Sequence, residues 1–489
     1  MTLPLYRSIA DHYLQAIQLG TLQPGERFPS VRTLMQRHGV SLATALGACR
    51  HLEDGGWLHA RPRAGYFVQR PRRSSLQVPG RPAPPARPDP AAYVGIHARV
   101  SELLAMAQAA PVTADFSLAV GEASLYPTEA LQRIMRRQLR EQPQMLGTML
   151  REHGHAPLRA ALAQRMLARG VHLAAQDIVV THGCIEALNL ALRAVTQPGD
   201  TVAVESPTFY GVLQVLESLG LRALEIPTDP VRGLSLDALA WVLRDGLGDV
   251  GPAGSATGLK AVVAMPTLHN PLGCVMTDDD KQRLVALCAR HRVALIEDDL
   301  YAEMAADDRP LRPAKAFDTD GSVIYCTSLN KTLAPGLRLG WLAGGRWQAR
   351  IEMLKYSQTR FGELLPQSVA AEFIASPAHE RHLRRLRERL TVQREQLADA
   401  VATLFPPGTR CHLPEGGLML WVQLPAGTSS RQLFERALAA GIRVLPGPMF
   451  SNGQAFDDCL RLTAGAPLQG ERLQALQALG RLAAAPPLA

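Results

Sequence analysis

Residues 327–341 read TSLNKTLAPGLRLGW, and this stretch decides the fold of most of the chain. A β-rich run, SVIYCTS (322–328), leads into Lys331, and Pro335-Gly336 turns the chain so that Arg338 comes back towards that lysine. An amine and a guanidinium placed across a tight turn can hold two ends of one phosphorylated carbonyl compound. Lysine usage sharpens the point, because only five lysines (Lys260, Lys281, Lys315, Lys331, Lys355) stand among 52 basic residues. Arginine cannot replace lysine where an amine must lose its proton and form an imine. The other four read as ordinary: Lys281 and Lys355 suit helix surfaces, Lys260 precedes a strand, and Lys315 sits in a polar turn.

Around this stretch, short β-rich runs alternate with amphipathic ones. DIVVT (177–181) precedes IEALNLALRAV, DTVAVESP (200–207) precedes YGVLQVLESLG, and LKAVVAMP (259–266), RVALIEDD (292–299) and LRLGWLAG (337–344) continue the series. That alternation predicts an α/β domain with a central, mostly parallel sheet covered by helices. Chemistry in such folds sits in loops at the carboxyl ends of strands.

The chain of 489 residues is too long for one ordinary domain. Residues 71–92, PRRSSLQVPGRPAPPARPDPAA, carry prolines at 79, 82, 84, 85, 88 and 90 and predict an extended linker. The expected division is a domain at 1–70, a Pro-rich linker at 71–95 and a second domain at 96–489. In the first segment Leu5, Ile9, Tyr13 and Ile17 form the stripe of an amphipathic helix. Ser30 can cap a second helix that stops at Gly39, and Ser41 can cap a third with Leu42, Ala45, Leu46, Cys49 and Leu52 inward. WLHARPRAGYFVQ (57–69) then reads as two strands around a turn, completing a mostly α winged helix-turn-helix with a small β wing.

Charge placement agrees with this division. Residues 1–73 hold 10 Arg against 4 acidic residues, while the 394 residues after position 95 carry about +1 of the chain's +8. A basic N-terminal unit beside a near-neutral body implies a polyanionic partner for the first segment. Seven scattered cysteines without a CxxC pair suggest neither a disulfide framework nor a zinc site. No apolar run approaches ~18 residues and the first residues do not read as a secretory leader, so a cytoplasmic protein without membrane contact is expected.

With these residues in view, the SxxKxxxPGxRxGW pattern resembles the cofactor-lysine loop of fold-type I pyridoxal-phosphate enzymes. The whole chain resembles the MocR subfamily of GntR transcription regulators, residues 5–70 matching its winged helix and roughly 96–470 its aminotransferase-like domain. The resemblance implies pyridoxal 5'-phosphate as cofactor, with Lys331 forming the internal aldimine and Asp298, in LIEDDLY, keeping the pyridine nitrogen protonated. It implies Tyr301 and Asn270 at the ring's phenolic oxygen, and the turn Gly183-Cys184-Ile185, opening a helix, at the phosphate with Ser328 and Arg338. Phe209 is the implied stacking aromatic, with Tyr210 beside it as an alternative, and Arg461, in LRLTAG, the partner of a substrate carboxylate. The sequence departs from the family pattern at Met149 (often tyrosine), Asn330 (often serine), His269 (often glutamine) and Leu42 (often arginine).

At the DNA end the resemblance implies contacts from Ser30, Arg32 and Thr44, with Arg61 and Arg63 at the wing. The outward face of the recognition helix is expected to offer Ala43, Thr44, Gly47, Arg50 and His51. Taken together, the chain is expected to be a homodimeric DNA-binding regulator that senses an amino compound through Lys331. A working aminotransferase, moving an amino group from an amino acid to a 2-oxoacid, fits the same residues. So does a protein that responds to the cofactor itself.

Overall fold

The computed structural model describes residues 4–18, 22, 26–54, 56–61, 65–68, 77–80, 89, 91–150, 153–245, 258–306, 310–453 and 455–485. The chain divides into two compact units, Met1–Ser75 and Leu76–Ala489.

In the first unit, α1 (Leu5–Gln18), α2 (Val31–His38) and α3 (Leu42–Asp54) precede β1 (Leu58–Arg61) and β2 (Gly65–Val68), which pair antiparallel. Ile9, Tyr13, Ile17, Phe28, Leu34, Ala45, Cys49, Leu52, Leu58 and Val68 form its buried core. Both expected caps are present, Ser30 Oγ accepting the Thr33 N–H at 3.1 Å and Ser41 Oγ the Thr44 N–H at 3.3 Å. Gly39 ends α2 at φ 62°, a left-handed conformation that costs glycine nothing.

The second unit is built on a sheet with nine strands among the described residues. Strands Arg222–Asp229, Thr201–Ser206, Leu259–Ala264, Ala294–Asp298 and Val323–Ser328 run parallel in that spatial order. Gly340–Ala343 then lies antiparallel between Val323–Ser328 and Ile178–Thr181. The inner strands Ala294–Asp298 and Val323–Ser328 are buried along their whole length, with Cys184–Val195 packed on one face and Asp278–Arg290 on the other. A separate apolar core lies under an antiparallel sheet of four strands: Arg410–Cys411, Met419–Gln423, Cys459–Thr463 and Leu445–Pro446. Helices Pro377–Leu404, Ser430–Ala439 and Gly470–Ala484 pack on it.

The segment expected to be an extended linker is docked where it is described. The Gln77 carbonyl accepts the Cys411 N–H at 2.8 Å, and the Gly80 N–H donates to Gln423 Oε1 at 2.9 Å. Ala92–Tyr93 pairs antiparallel with Arg222–Ala223. Proline removes only its own N–H, so the flanking residues kept their pairing capacity.

The lysines also differ from expectation. Lys281 and Lys355, read as helix-surface residues, are buried, as is Lys315. Each is satisfied: Lys281 Nζ donates to the Arg312 carbonyl (2.7 Å), Lys315 Nζ to Asp318 Oδ2 (2.8 Å) and Lys355 Nζ to Glu186 Oε2 (2.9 Å). Periodicity places a lysine on a helix without telling whether a distant carboxylate or carbonyl waits opposite it.

Candidate functional site

Parallel strands end together, and three of the ends bring Asp298, Lys331 and the Cys184 turn close to one another. Asp298 is the last residue of Ala294–Asp298, Ser328 closes Val323–Ser328 three residues before Lys331, and Thr181 closes Ile178–Thr181 just before the turn to helix Cys184–Val195. Asp298 is buried, and its Oδ1 accepts the Cys184 thiol at 3.4 Å while Oδ2 has no hydrogen-bond partner. Burial pushes this carboxyl up to about 7, with the Cys184 hydrogen bond opposing and Asp299 and Glu205 repelling its charge. Lys331 Nζ donates to the Ala119 carbonyl at 2.8 Å and lies 5.9 Å from the centre of the Tyr301 ring. Burial, helped by Arg461, lowers its ammonium to about 8, against the pull of Asp298.

The turn before Cys184–Val195 is shaped by glycine. Gly183 has φ 80°, and a Cβ there would stand 3.1 Å from Asn330 Nδ2 and 3.2 Å from Arg338 Nη2. The N–H groups that open this helix have no partners within it and carry the positive end of its dipole. Arg338, exposed and in the left-handed region at φ 55°, donates to the His182 carbonyl at 3.3 Å. Ser328 Oγ donates to the Leu339 carbonyl (3.0 Å) and accepts the Asn330 N–H (3.0 Å), so its hydroxyl holds the lysine loop together. Behind the turn, Glu186 accepts the His182 N–H and both hydrogen-bonds and neutralises the fully buried Lys355.

On the other side, Arg461 is buried, its Nη1 donating to Asn270 Oδ1 at 3.1 Å and its Nη2 to the Ser117 carbonyl. The guanidinium stands 5.3 Å from the Phe450 ring centre, and its Nε has no hydrogen-bond partner. Tyr301 is buried, and burial raises its phenol. His269 Nδ1 accepts the Leu272 N–H at 3.3 Å, and its Nε2 lies 3.2 Å from Glu205 Oε2. Phe209 is half-buried at the start of helix Tyr210–Ser218, its ring 4.8 Å from that of Tyr210 and folded over Gly211.

In the first unit Ser30 and Arg32 are exposed and Thr44 is half-buried, its hydroxyl 3.0 Å from Ser41 Oγ. The backbone of Arg61 pairs with Gly65, whereas Arg63 lies outside the described residues. Two expectations for α3 change. Leu42, expected inward, is 55% exposed. Gly47 and His51, expected outward, face Tyr6 of α1: a Cβ on Gly47 would meet Tyr6 Cβ at 3.4 Å, and the His51 and Tyr6 rings are 6.0 Å apart.

Comparison with known proteins agrees with both halves. Residues 115–479 match the family Aminotransferase class I and II, and residues 5–68 match Bacterial regulatory proteins, gntR family. The uncharacterized HTH-type transcriptional regulator YdcR of Escherichia coli is 34% identical over 98% of this chain and 98% of its own length. The chain belongs to the GntR regulators of the MocR type. A Bacillus subtilis relative, the uncharacterized HTH-type transcriptional regulator YdfD, is 28% identical over 92% of this regulator and 90% of its own length. Among solved structures, a Pyrococcus horikoshii kynurenine aminotransferase in complex with PMP superposes with a TM-score of 0.72 at 27% identity, covering 79% of this chain and 94% of that one. The fold family is pyridoxal-phosphate dependent, and the regulator carries an aminotransferase-like pyridoxal-phosphate domain. Among the described residues no helix is long and apolar enough to cross a membrane.

Several groups lining this regulator's pocket were missed in the sequence. The carbonyls of Ser117 and Ala119 receive Arg461 and Lys331, and Phe450 lies beside Arg461. Backbone oxygens carry no residue-type signal, and a phenylalanine reads as core. The Cys184 thiol was also missed, because a cysteine at a helix start gives no sign that a carboxylate 114 residues away will accept its hydrogen bond.

Proposed function

We propose that this regulator binds pyridoxal phosphate at Lys331, captures a carboxylate-bearing amino compound there, and passes that capture to its DNA-binding unit. The observation that carries the reading is the buried, unpartnered Asp298 Oδ2. A buried carboxylate oxygen without a donor is costly, and a protonated ring nitrogen is the donor that fits. Bound pyridoxal phosphate supplies an aldehyde that condenses with primary amines and a ring that withdraws electrons.

The chain's own residues have separable tasks. Asp298 holds a proton at the ring nitrogen, while Asn270 and Tyr301 hold the phenolic oxygen and Phe209 covers the ring. The N–H groups at Gly183, Cys184 and Ile185 bind phosphate with Arg338, and with Ser328 if its hydroxyl turns from Leu339. Lys331, held near 8, gives up its proton close to neutral pH. Arg461 is already oriented by Asn270 and Ser117 and pairs with the ligand carboxylate. Ser30, Arg32, Thr44, Arg61 and Arg63 position the first unit on DNA.

A route between the two ends is supported by the docked segment. Arg461 lies two residues from Cys459, which is paired with Gln423, and Gln423 holds Gly80. A ligand that draws on the Arg461 strand therefore acts on the chain leading back to the DNA-binding unit. We assign 1–70 to DNA binding, 71–95 to this connection and 96–489 to sensing, in a cytoplasmic homodimer. The same pocket supports a second reading as an aminotransferase, because Lys331, Asp298 and Arg461 all stand in it.

The test is a visible absorbance titration of the full-length protein with amino acids, with DNA binding followed in parallel. A cofactor band lost in Lys331→Ala, and a DNA affinity that changes about tenfold, or ~1.4 kcal/mol, as amine is added, supports the sensor. Catalytic 2-oxoacid output without any DNA response makes the protein an aminotransferase. A DNA response to cofactor alone makes it a sensor of the cofactor.

A further inference from the structure

The first turn of α3 is the part of a helix-turn-helix that points at base edges. Ser41 caps that helix, so Leu42, Ala43 and Thr44 form the turn. Leu42 is 55% exposed and Ala43 is exposed, while the Thr44 hydroxyl is within 3.0 Å of Ser41 Oγ. Further along, Gly47 and His51 are covered by Tyr6, leaving Arg50 as the exposed long donor of the helix. The first turn therefore presents carbon where base-reading helices usually present hydrogen-bond donors.

Among the described large apolar side chains of this unit, Leu5 at the start of α1 is also exposed, whereas Ile9, Ile17, Phe28, Leu34, Leu52 and Leu58 are all buried. The exposed Leu42 is thus available to a partner. The unit's excess of arginine over acidic residues selects a polyanion as that partner. In the major groove the apolar group that distinguishes one base pair from the others is the C5-methyl of thymine.

We infer that Leu42 reads a thymine methyl in each half-site, with Ala43 beside it, so that the regulator selects DNA by a methyl contact at this position. Ser30 and Arg32, exposed at the start of α2, set the register on phosphates and leave this choice to Leu42. The inference rests on the DNA-binding reading above.

Deoxyuridine separates the two, because it differs from thymidine only by that methyl. Duplexes selected from a random pool by the full-length protein are resynthesised with each thymine replaced in turn by uracil, and affinity is measured at fixed salt. One replacement per half-site should weaken the wild type roughly fourfold, the factor of one buried methyl. The same replacement should leave Leu42→Ala within twofold. Leu42→Arg should exchange thymine for guanine at that position, because arginine pairs with guanine O6 and N7. Tolerance of uracil at every position, with selective binding intact, overturns the Leu42 inference alone. Equal uracil sensitivity in wild type and Leu42→Ala does the same. If the wild type enriches no sequence at all, the regulator reading falls and this inference with it.

Discussion

Ser30 and Arg32 stand in water at the surface of Met1–Ser75, whereas Asp298 and Arg461 are almost wholly removed from it in Leu76–Ala489. The first unit is tied together by an apolar core and a few side-chain caps, and most of its described charged side chains are exposed. The second unit carries charge drawn inward: the buried pair of Glu186 with Lys355, the buried Asp299 with Arg169 and Tyr325, and the half-buried pair of Glu303 with Arg165. A surface that meets a polyanion needs exposed charge on a correctly bent backbone, and water solvates that charge when no partner is present. A pocket that holds or moves protons needs low dielectric, where each unmatched charge is costly. Polar substitutions should therefore act much more strongly in the second unit than in the first.

Lys355→Met gives the largest expected effect. Lys355 is fully buried, with Nζ 2.9 and 3.1 Å from the Glu186 carboxylate and 2.8 Å from Thr359 Oγ1. Its removal leaves a buried carboxylate unpaired, at a cost of about 3–5 kcal/mol in denaturant unfolding of the second unit. Adding Glu186→Gln should recover more than half of that loss, because the charge goes with its partner. Glu186 also holds the His182 N–H, so the single variant should bind cofactor more weakly as well. A cost below about 1 kcal/mol, the value of an exposed pair, would break the comparison.

The contrast also explains what the sequence made legible. The caps at Ser30 and Ser41, the wing strands and the strand–helix alternation are local signals, and each is present in the structure. Lys331 and Asp298 stood out in the sequence because few residue types perform the chemistry assigned to them, and the structure places Asp298 at the end of one strand and Lys331 three residues beyond another. Lys281 and Lys355 were misread as surface residues, since their partners lie across the fold or on backbone that no residue type marks. Leu42 was misread for a different reason. Its spacing fits the apolar stripe of α3, but the first turn projects beyond the core that Tyr6 and α1 cover. Docking of Gln77 and Gly80 could not be read because Cys411 and Gln423 meet them through backbone and amide groups.

A pH series sharpens the comparison. An aspartate ionises near 3.9 in an unfolded chain, whereas burial lifts Asp298 to about 7. In the cofactor-free protein its contribution to stability is fully present below about pH 4 and is lost as pH rises through about 7. Relative to Asp298→Asn, the wild type should lose on the order of 3–4 kcal/mol of second-unit stability between pH 4 and 8.5. The variant reference matters because Glu297, also raised to about 7 by burial and by Asp299, has the same sign in both proteins. Adding pyridoxal phosphate should shrink the wild-type loss and leave the variant little changed, since only the wild type offers a carboxylate to the ring nitrogen. The first unit should show no matching change between pH 5 and 8, as the displaced groups among its described residues, Cys49 at about 11 and a raised Tyr66, titrate above that window. Parallel pH profiles in wild type and Asp298→Asn would remove Asp298 from its assigned role.

Ser30→Ala is the smallest change and tests the other side. Ser30 Oγ accepts the Thr33 N–H at 3.1 Å and meets Thr33 Oγ1 at 2.7 Å, so alanine leaves the first turn of α2 to water. The expected cost is about 1 kcal/mol. That figure is a quarter of the Lys355 effect, yet it should be conspicuous in a melt, because a domain of 60–100 residues shifts by roughly 4–8 °C per kcal/mol. The first unit, Met1–Ser75, is of that size. Calorimetry of the full chain should therefore move only the transition assigned to the first unit, while the cofactor's visible band melts at its wild-type temperature. A band that melts earlier in Ser30→Ala would mean that the two units share their stability, and the contrast between a solvated surface and a buried pocket would no longer divide the chain where its contacts do.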